Sequence, residues 1–340
     1  MDPARVRVRF TERLENVLRP GPTTALDSFP SMRVAVGCQG GGSHTAFTAG
    51  ALRRLLRTEV EVVALSGTSG GAICALLAWY GLLQHDRALA ARLLSGFWEY
   101  MAVRGGWERL AHDWTLTTYR LIGQTMSPEQ NPYHSPHGRW GQLQLRQALE
   151  RQVDFARAEA LVTPSSPLLA VSAVDVLSGG FRVFKNAEVT PDAILASAAV
   201  PTLFPAVRIG DGLYWDGLFS QNPPVRDLLS TRPDELWIIQ VNRRVRSAEP
   251  RSLSAIRDRR NELAGNLSLE QELHPIETIN DLISAGHLAG SDFRRIIVRR
   301  VEMLLELDSI SKLDRSPAFL QGMLEHGEAQ ADRLVHELGL

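Results

Sequence analysis

Ser69 has the setting that most clearly suggests chemistry, because Gly67 and Gly71 flank it in a G-x-S-x-G pattern. An apolar run at residues 60–65 precedes the pattern, and a segment rich in helix formers follows at residues 72–83. This order predicts a buried strand that turns sharply into a helix. At such a turn the glycines leave room for the backbone, and the hydroxyl stands above the sheet edge near helix N–H groups. We therefore predict that Ser69 is a nucleophile.

A membrane span is the competing interpretation of residues 60–83, which are apolar and long enough to suggest one. Their middle, however, carries six small or polar residues, three of them glycine. These residues would break the uniform helix that a bilayer demands. The pattern also recurs by chance, but the strand before it and the helix after it are the context that a nucleophile turn requires.

A second glycine-rich turn, Gly40-Gly41-Gly42, lies between a strand expected at residues 32–37 and a helical pattern at residues 45–56. Its bare amides can face an anion. A nucleotide phosphate is disfavoured, because the chain lacks both the lysine followed by Ser or Thr and the later acidic residue that nucleotide loops use. An oxyanion hole is the alternative, since each well-placed amide there lowers an acyl-transfer barrier by roughly 3 to 4 kcal/mol.

The two glycine turns are consecutive strand-to-helix crossings, so they should meet at the same edge of a parallel sheet. We expect the amides of the three glycines and of Gly70 to surround an oxyanion beside Ser69; a purely structural tight turn is the alternative for the triple glycine. His44 follows in the same loop, where the positive end of a helix disfavours a protonated imidazole. We expect His44 to be neutral at pH 7.

Two aspartates in the second half of the chain differ in context. Asp211 lies between glycines at a hairpin tip, where aspartate is ordinary turn chemistry. Asp216 follows three apolar strand residues and precedes Gly217. A carboxylate at the end of a buried strand is unfavourable without a partner, and a hydroxyl nucleophile would be such a partner.

The composition is that of a soluble globular protein, with 340 residues, 44% hydrophobic and 22% charged. The net charge of −1 gives no global field that would favour nucleic acid. Cys38 and Cys74 are the only cysteines, and both lie in segments expected to be buried. Neither a disulfide framework nor a four-cysteine metal site is therefore expected.

The N-terminal segment, residues 1–31, is expected to form an amphipathic helix at residues 4–18 and a linker. Val6, Phe10 and Leu14 share one stripe of that helix, and arginines lie elsewhere. We favour packing on the protein itself over attachment to an anionic membrane surface. The first twenty residues lack the continuous apolar stretch of a signal peptide, so a cytoplasmic protein, with peripheral membrane contact as the alternative, is expected.

Residues 86–155 are expected to be an insertion of helices and loops. Its tryptophans, which either cover an acyl chain near the site or belong to the core, are Trp98, Trp107, Trp114 and Trp140. His134 and His137 lack partners in a metal-ligand array, so both are interpreted as loop residues. Further strands are expected at residues 168–174, 181–184, 206–209, 213–215, 236–241 and 296–298, with a helix at 191–201. Arginine clusters at residues 243–246, 257–260 and 294–300 are interpreted as solvated faces rather than lipid contacts.

These motifs together resemble those of bacterial patatin-like phospholipases over residues 33–241. The glycine loop, with Gly50 and Leu52 downstream, is similar to the oxyanion loop of the family, and residues 67–71 match its nucleophile turn. The segments that match the region around the family's aspartate are residues 196–201, 204–205, 216–217 and 222–224. Residues 266–283 are also similar to a C-terminal extension seen in one bacterial branch.

Three positions depart from the family pattern. His44 stands where the family often has arginine or lysine, and Thr45 stands where it has glycine. Leu218 replaces the glycine or alanine that usually follows the Asp-Gly pair.

The resemblance implies an α/β fold in three layers with a mostly parallel central sheet. Residues 32–245 would form the catalytic domain, and residues 246–340 a helical extension packed on it. The resemblance also implies a Ser-Asp dyad that cleaves lipid carboxylic esters, such as phospholipids or lysophospholipids, without cofactor or metal. In this dyad Ser69 attacks the carbonyl, and Asp216 accepts the hydroxyl proton and later activates water.

Two other functions compete with this interpretation. A Ser-His-Asp α/β-hydrolase has the same turn and would need one of His274, His287, His326 and His336. None of these histidines follows a strand in a catalytic loop, and here the glycine loop lies only one strand before the nucleophile turn. A non-catalytic, membrane-associated protein that kept the fold is the third candidate, and the intact Ser69 and Asp216 argue against it.

Overall fold

The two strands that precede the glycine turns lie side by side in the computed structural model, which describes residues 31–122, 131–201 and 203–340. β1 (Arg33–Cys38) and β2 (Glu61–Gly67) are parallel, and Cys38 pairs with Gly67 where both strands end. Each strand is buried after its first residue, as expected for apolar strands inside a parallel sheet. The helix predicted at residues 4–18 lies outside the described residues.

The remaining strands of the described residues complete one eight-stranded sheet. They are β3 (Leu168–Asp175), β4 (Phe181–Lys185), β5 (Val207–Ile209), β6 (Gly212–Asp216), β7 (Glu235–Gln240) and β8 (Ile297–Glu302). The parallel part has the order β3-β2-β1-β7-β8. β4 and β6 both pair with β3 in antiparallel fashion, and β5 pairs with β6. The predicted strands are confirmed, although β8 extends further than expected.

Helices occupy the connections predicted for them. They are α1 (Ala46–Leu55), α2 (Gly70–Leu83), α3 (Arg87–Met101), α4 (Gly106–Ile122), α5 (Pro136–Gln152), α6 (Phe155–Leu161), α7 (Pro191–Ser197), α8 (Leu253–Ser284) and α9 (Pro317–Leu338). α5 begins at Pro136, so the prediction that His137 lies in a loop is wrong, because a proline at the first helical position is already preorganised for a helix. Within the described ranges, no helix combines the length and apolar character needed to cross a membrane.

Side chains on one face of the sheet pack against α8. Leu269, Leu273 and Ile276 of this helix belong to one buried cluster with Leu236 and Ile238 of β7. Because successive strand residues point to opposite faces, the intervening residues of the strands form a second core, against which α2 packs. The predicted three-layer α/β fold with a mostly parallel sheet is therefore confirmed.

α9 and α1 cross at two glycines that have no room for a side chain. A Cβ added at Gly50 of α1 would lie 1.9 Å from the carbonyl oxygen of Leu324, and one added at Gly327 of α9 would lie 1.9 Å from that of Phe47. The two backbones are thus in direct contact, which fixes the C-terminal helix against the helix that follows the glycine loop.

The arginine clusters of the C-terminal part include exposed residues such as Arg260 and Arg295, as expected, and others that form ion pairs. Arg299 on β8 makes hydrogen bonds of 2.7 and 2.8 Å to Glu235 on β7. Arg246 makes bonds of 2.9 and 2.7 Å to Glu262 on α8. These pairs connect α8 and β8 to the sheet, and Arg33–Leu340 form one compact unit.

The crossing of α1 and α9 predicts opposite effects for two glycines of the same helix. Gly327→Ala should lower the free energy of unfolding by about 1 to 3 kcal/mol, because its methyl group would press on the Phe47 carbonyl. Gly322→Ala is the matched control: Gly322 is exposed with nothing near its Cβ position, so alanine should stabilise by about 0.5 to 1 kcal/mol. Urea unfolding followed by circular dichroism measures both. Equal effects of the two substitutions would contradict the close crossing.

Candidate active site

Ser69 occupies a strained turn between β2 and α2. Its φ of 56° and ψ of −129° lie in a region that side chains rarely adopt. A Cβ at Gly67 would lie 2.5 Å from the backbone nitrogen of Ala72, and one at Gly71 would lie 2.3 Å from the carbonyl oxygen of Cys38. Both glycines are therefore required by close packing around the serine, as the sequence pattern predicts.

The register of β3 brings Asp216 to this turn. β2 pairs with β3 only as far as Gly67, opposite Val171, and β6 pairs with β3 from Ala173, opposite Asp216. β4 pairs with residues 170–174 of β3, which include residues paired with β2 and residues paired with β6. Because β4 occupies one edge of β3 along this stretch, β2 and β6 must both lie on the other edge. The end of β6 thus follows the end of β2 along one edge, and Asp216 lies next to the turn that carries Ser69.

The C-terminal end of α7 holds both residues by their backbones. The N–H of Ser69 donates a 2.9 Å hydrogen bond to the hydroxyl of Ser197. The N–H of Asp216 donates a 3.0 Å bond to the carbonyl of Ala199. Ser197 and Ala199 belong to the segment that resembles the family, but no local pattern of residues indicates this bridging role for either residue.

Asp216 is a buried carboxyl, only 1% exposed. Its Oδ1 accepts a 2.8 Å hydrogen bond from the N–H of Leu218, and among the described residues Oδ2 has no hydrogen-bond partner of standard geometry. Burial raises the pKa of Asp216 to about 7, whereas the nearby Ser69 hydroxyl, the Leu218 N–H and the charge of Lys312 each lower it. The carboxyl can therefore exchange a proton near neutral pH, which suits a general base.

Thr68 anchors the turn on its other side. Its hydroxyl lies 2.7 Å from the hydroxyl of Ser172 on β3 and 2.6 Å from the carbonyl oxygen of Gln221. A Cβ at Gly217 would lie 2.4 Å from the same Ser172 hydroxyl. Gly217, part of a segment that resembles the family, therefore has no room for a side chain.

The glycine loop, residues 40–42, lies against the nucleophile turn. A Cβ at Gly40 would lie 2.6 Å from the carbonyl oxygen of Thr68, and one at Gly70 would lie 3.0 Å from that of Gly42. The hydroxyl of Thr45, at one of the positions that depart from the family, donates a 2.6 Å bond to the carbonyl of Gly42. The two glycine turns meet, as their order in the sequence predicts.

The amides of the glycine loop are not equivalent. The N–H of Gly40 donates a 2.7 Å hydrogen bond to Oδ1 of buried Asn222, so it is occupied and the prediction that it binds an oxyanion needs correction. Gly42 and Gly70 each begin a helix, where the N–H has no acceptor within the helix. Within the described residues, no hydrogen bond engages the N–H of Gly41. These three amides are the remaining donors.

His44 is neutral, as predicted, but for a different reason. Burial and then the charge of Lys312 lower the pKa of His44 to about 3, against a smaller opposing effect of Asp308. Its Nε2 lies 2.8 Å from the hydroxyl of Ser311. Burial against the C-terminal part of the chain, rather than the end of the helix, therefore keeps the imidazole uncharged.

The other candidate residues lie apart from this constellation. Asp211 is exposed at the tip between β5 and β6. His274, His287 and His336 are exposed on the C-terminal elements, and His326 packs against Phe47 with the rings tilted and their centroids 5.3 Å apart. In the hydrogen bonds recorded for the described part of the chain, none of these imidazoles is joined to Ser69 or Asp216.

The tryptophans of the insertion divide into two kinds. Trp98 is buried in the core. Trp107 and Trp114 on α4 are 86% and 75% exposed, and Trp140 on α5 is 58% exposed. Trp107, Leu110 and Trp114 follow one another at intervals of three and four residues, so they share one helix face.

An α/β sheet with a strained serine turn, a buried carboxylate and a glycine loop at one edge is typical of acyl hydrolases. The model of the family described as "Patatin-like phospholipase" matches residues 38–229, more than half of the chain. The protein therefore belongs to the patatin-like phospholipase family, and this membership implies lipid ester hydrolase activity and a lipid substrate.

The solved structures to which the chain is similar include VipD and ExoU. VipD from Legionella pneumophila is 12% identical, with a TM-score of 0.45 and coverage of 91% of this chain and 67% of VipD. The type III effector ExoU is 15% identical, with a TM-score of 0.34 and coverage of 91% and 53%. ExoU in complex with SpcU, from Pseudomonas aeruginosa, is 16% identical, with a TM-score of 0.35 and coverage of 91% and 52%. The chain thus spans about half of the length of ExoU. A search of curated proteins finds no match.

The burial of Asp216 predicts a pH-dependent cost in stability. Its pKa of about 7 lies above the unfolded value of about 3.9, so stability is lost as pH rises through this interval. Asp216→Asn removes the ionisation. The free energy of unfolding of this variant minus that of the wild type should therefore be at least about 1 kcal/mol larger at about pH 8 than at about pH 5.5.

Urea unfolding at the two pH values measures this difference. Asp211→Asn, the matched change at an exposed aspartate, should show the same small effect at both. An Asp216→Asn effect that does not depend on pH would mean that the carboxyl is not desolvated.

Proposed function

We propose that the protein hydrolyses the carboxylic esters of phospholipids or lysophospholipids through a dyad of Ser69 and Asp216. The observation that carries this proposal is the position of Asp216, a buried carboxyl held by register beside the strained turn of Ser69. A serine hydroxyl is a weak nucleophile until a base removes its proton. Here a single carboxylate is the base, and no histidine or metal takes part.

The reaction would proceed in two stages. Ser69 Oγ attacks the ester carbonyl carbon while Asp216 takes the hydroxyl proton, and the tetrahedral intermediate collapses as Asp216 returns that proton to the departing alcohol. Water then attacks the acyl-serine, again with Asp216 as proton acceptor. Collapse of the second intermediate returns the proton to Ser69 and releases the fatty acid.

The amides of Gly41, Gly42 and Gly70 are the donors that would hold the oxyanion in both intermediates. They belong to two backbone turns fixed by packing, so little reorganisation is needed when charge develops. His44 adds no charge to this site, because burial lowers its pKa to about 3.

The exposed aromatic face of α4 supports approach to a lipid surface. α4 adjoins the segment after residue 308, since the N–H of Arg315 donates a 3.0 Å bond to Nε2 of His112. That segment in turn contacts His44 beside the glycine loop. Tryptophan is well suited to the boundary between water and lipid, because its ring is apolar and its N–H is polar.

The rival functions have less support. A Ser-His-Asp mechanism needs an imidazole in hydrogen-bond reach of the serine, and the four candidate histidines lie elsewhere. A non-catalytic role would leave the strain at Ser69 and the buried Asp216 as costs without a benefit.

Loss of either dyad residue should abolish turnover. Ser69→Ala and Asp216→Asn should each lower kcat/KM by at least about 10³-fold, as expected for the nucleophile and its base. The wild-type kcat/KM should rise with pH with a midpoint of about 7, because the ionised carboxylate is the active form. A panel of phospholipids, lysophospholipids and p-nitrophenyl esters provides the assay, and a serine-directed phosphonate should label Ser69 alone.

Single alanine variants of the four candidate histidines, together with Asp211→Asn, are the controls and should stay within about tenfold of wild type. A histidine variant as inactive as Asp216→Asn would instead support the α/β-hydrolase mechanism.

The aromatic face of α4 predicts a defect that depends on the physical state of the substrate. The double variant Trp107→Ala/Trp114→Ala should lower activity on phospholipid vesicles about tenfold or more through weaker adsorption. Its kcat/KM on a soluble short-chain ester should not change. Leu177→Ala/Phe181→Ala, which removes two exposed apolar side chains from the β3–β4 hairpin, is the matched control. Equal losses on both substrates would contradict an interfacial role.

A further inference from the structure

The turn at Ser309–Leu313, here called the C-terminal turn, lies directly behind the glycine loop. A Cβ at Gly42 would lie 2.5 Å from the backbone carbonyl oxygen of Lys312. The adjacent Ser311 hydroxyl lies 2.8 Å from Nε2 of His44. The backbone of the loop that supplies the oxyanion amides therefore rests on residues far away in the chain.

The side chain of Lys312 turns toward the same region. Its Nζ donates a 3.0 Å hydrogen bond to Oδ1 of Asn242, and the N–H of Asn242 donates a 2.8 Å bond to Oε1 of Gln39. Gln39 immediately precedes Gly40 in the loop. Lys312 thus meets the glycine loop twice: its carbonyl packs against Gly42, and its ammonium group is linked to Gln39 through Asn242.

Lys312 is also a cation close enough to act on Asp216. Its charge lowers the pKa of Asp216, and the carboxylate in turn raises the pKa of Lys312. The residue as a whole is partly exposed, but its ammonium end is desolvated, which lowers its pKa from the ordinary value.

Other charged groups surround this ammonium. Glu262 and Asp258 of α8 favour its protonated form, and Arg246 opposes it. The titratable and charged groups that line the same small cavity, of about 40 Å³, are His44, Arg243, Arg246, Asp258, Glu262, Glu306 and Asp308. The two acidic residues of α8 thus offset the cost of placing a cation beside the site.

We propose that Lys312 is a positioning residue of the active site, which holds the glycine loop against the turn of Ser69 and supplies a positive charge to the site. This inference rests on the proposed hydrolase chemistry. Lys312 lies outside residues 38–229, which match the family model, so the C-terminal part of the chain completes the site.

The chain contains two lysines, which gives a matched experiment. Lys312→Met and Lys312→Gln both remove the charge, but glutamine can still donate to Asn242. Lys312→Arg keeps the charge, and Lys185→Met removes the same charge from an exposed lysine that pairs with Asp227. All are made in the full chain, and kcat/KM on a soluble ester is measured across the pH range.

Both Lys312→Met and Lys312→Gln should move the midpoint of the acid limb up by about half a unit to one unit. The result is a loss of about two- to fivefold near pH 7 that is smaller near pH 9, and at pH 9 glutamine should retain more activity than methionine. Lys312→Arg should keep the wild-type midpoint, as should Lys185→Met. A loss that is equal at all pH values, or no loss, would overturn the proposal, because a merely structural role leaves the midpoint in place.

A measurement of stability tests the same coupling without activity. Lys312→Met should destabilise the fold more at about pH 8, where Asp216 is ionised, than at about pH 5.5. This difference should vanish in the Asp216→Asn background. If it appears while the protein hydrolyses no ester, the proposed function fails and the electrostatic effect of Lys312 on Asp216 stands. If hydrolysis depends on Ser69 and Asp216, but Lys312→Met changes neither the midpoint of the pH profile nor the pH dependence of stability, the inference about Lys312 fails alone.

Discussion

The sharing of one edge of β3 by β2 and β6 is the constraint on which the site depends. β2 leaves this edge after Gly67, opposite Val171, and β6 occupies it from Ala173 onward in the opposite direction. A strand edge has only one row of hydrogen-bonding groups, so the two strands must meet end to end. Their ends carry Ser69 and Asp216. The end of α7 then holds the backbone N–H groups of both residues.

This junction is held at a cost to stability. Ser69 has a strained backbone, and Asp216 is a desolvated carboxyl with one unpaired oxygen among the described residues. Each feature disfavours the fold by itself, and the proposed mechanism gives a use to both: the turn presents the serine hydroxyl to a substrate, and the carboxyl binds a proton near neutral pH. The close glycine contacts around the turn, and the hydrogen bonds of Thr68, provide the rigidity that keeps both in place.

The C-terminal part of the chain is integrated with the site although it lies beyond the residues that match the family. α9 crosses α1 with the two backbones in contact at Gly50 and Gly327. The C-terminal turn packs on Gly42, and α8 supplies Asn266, whose Oδ1 accepts a 3.1 Å bond from Gln39 before the glycine loop. Three separate elements after residue 245 thus contact the glycine loop, the residue before it or the helix after it, so the proposed oxyanion amides depend on residues far away in sequence.

Local patterns in the sequence determined the strands, the order of strand, turn and helix at both glycine motifs, and the choice of Ser69 and Asp216 as candidate reactive residues. These features depend on periodicity and on glycine at tight turns, which neighbouring residues encode. Only the tertiary structure placed Asp216 beside Ser69, occupied the Gly40 amide with Asn222 and neutralised His44 by burial. It also exposed Trp107 and Trp114 and paired some arginines of the C-terminal part. Each of these outcomes depends on contacts between distant segments or on solvent exclusion, and no local pattern of residues encodes either.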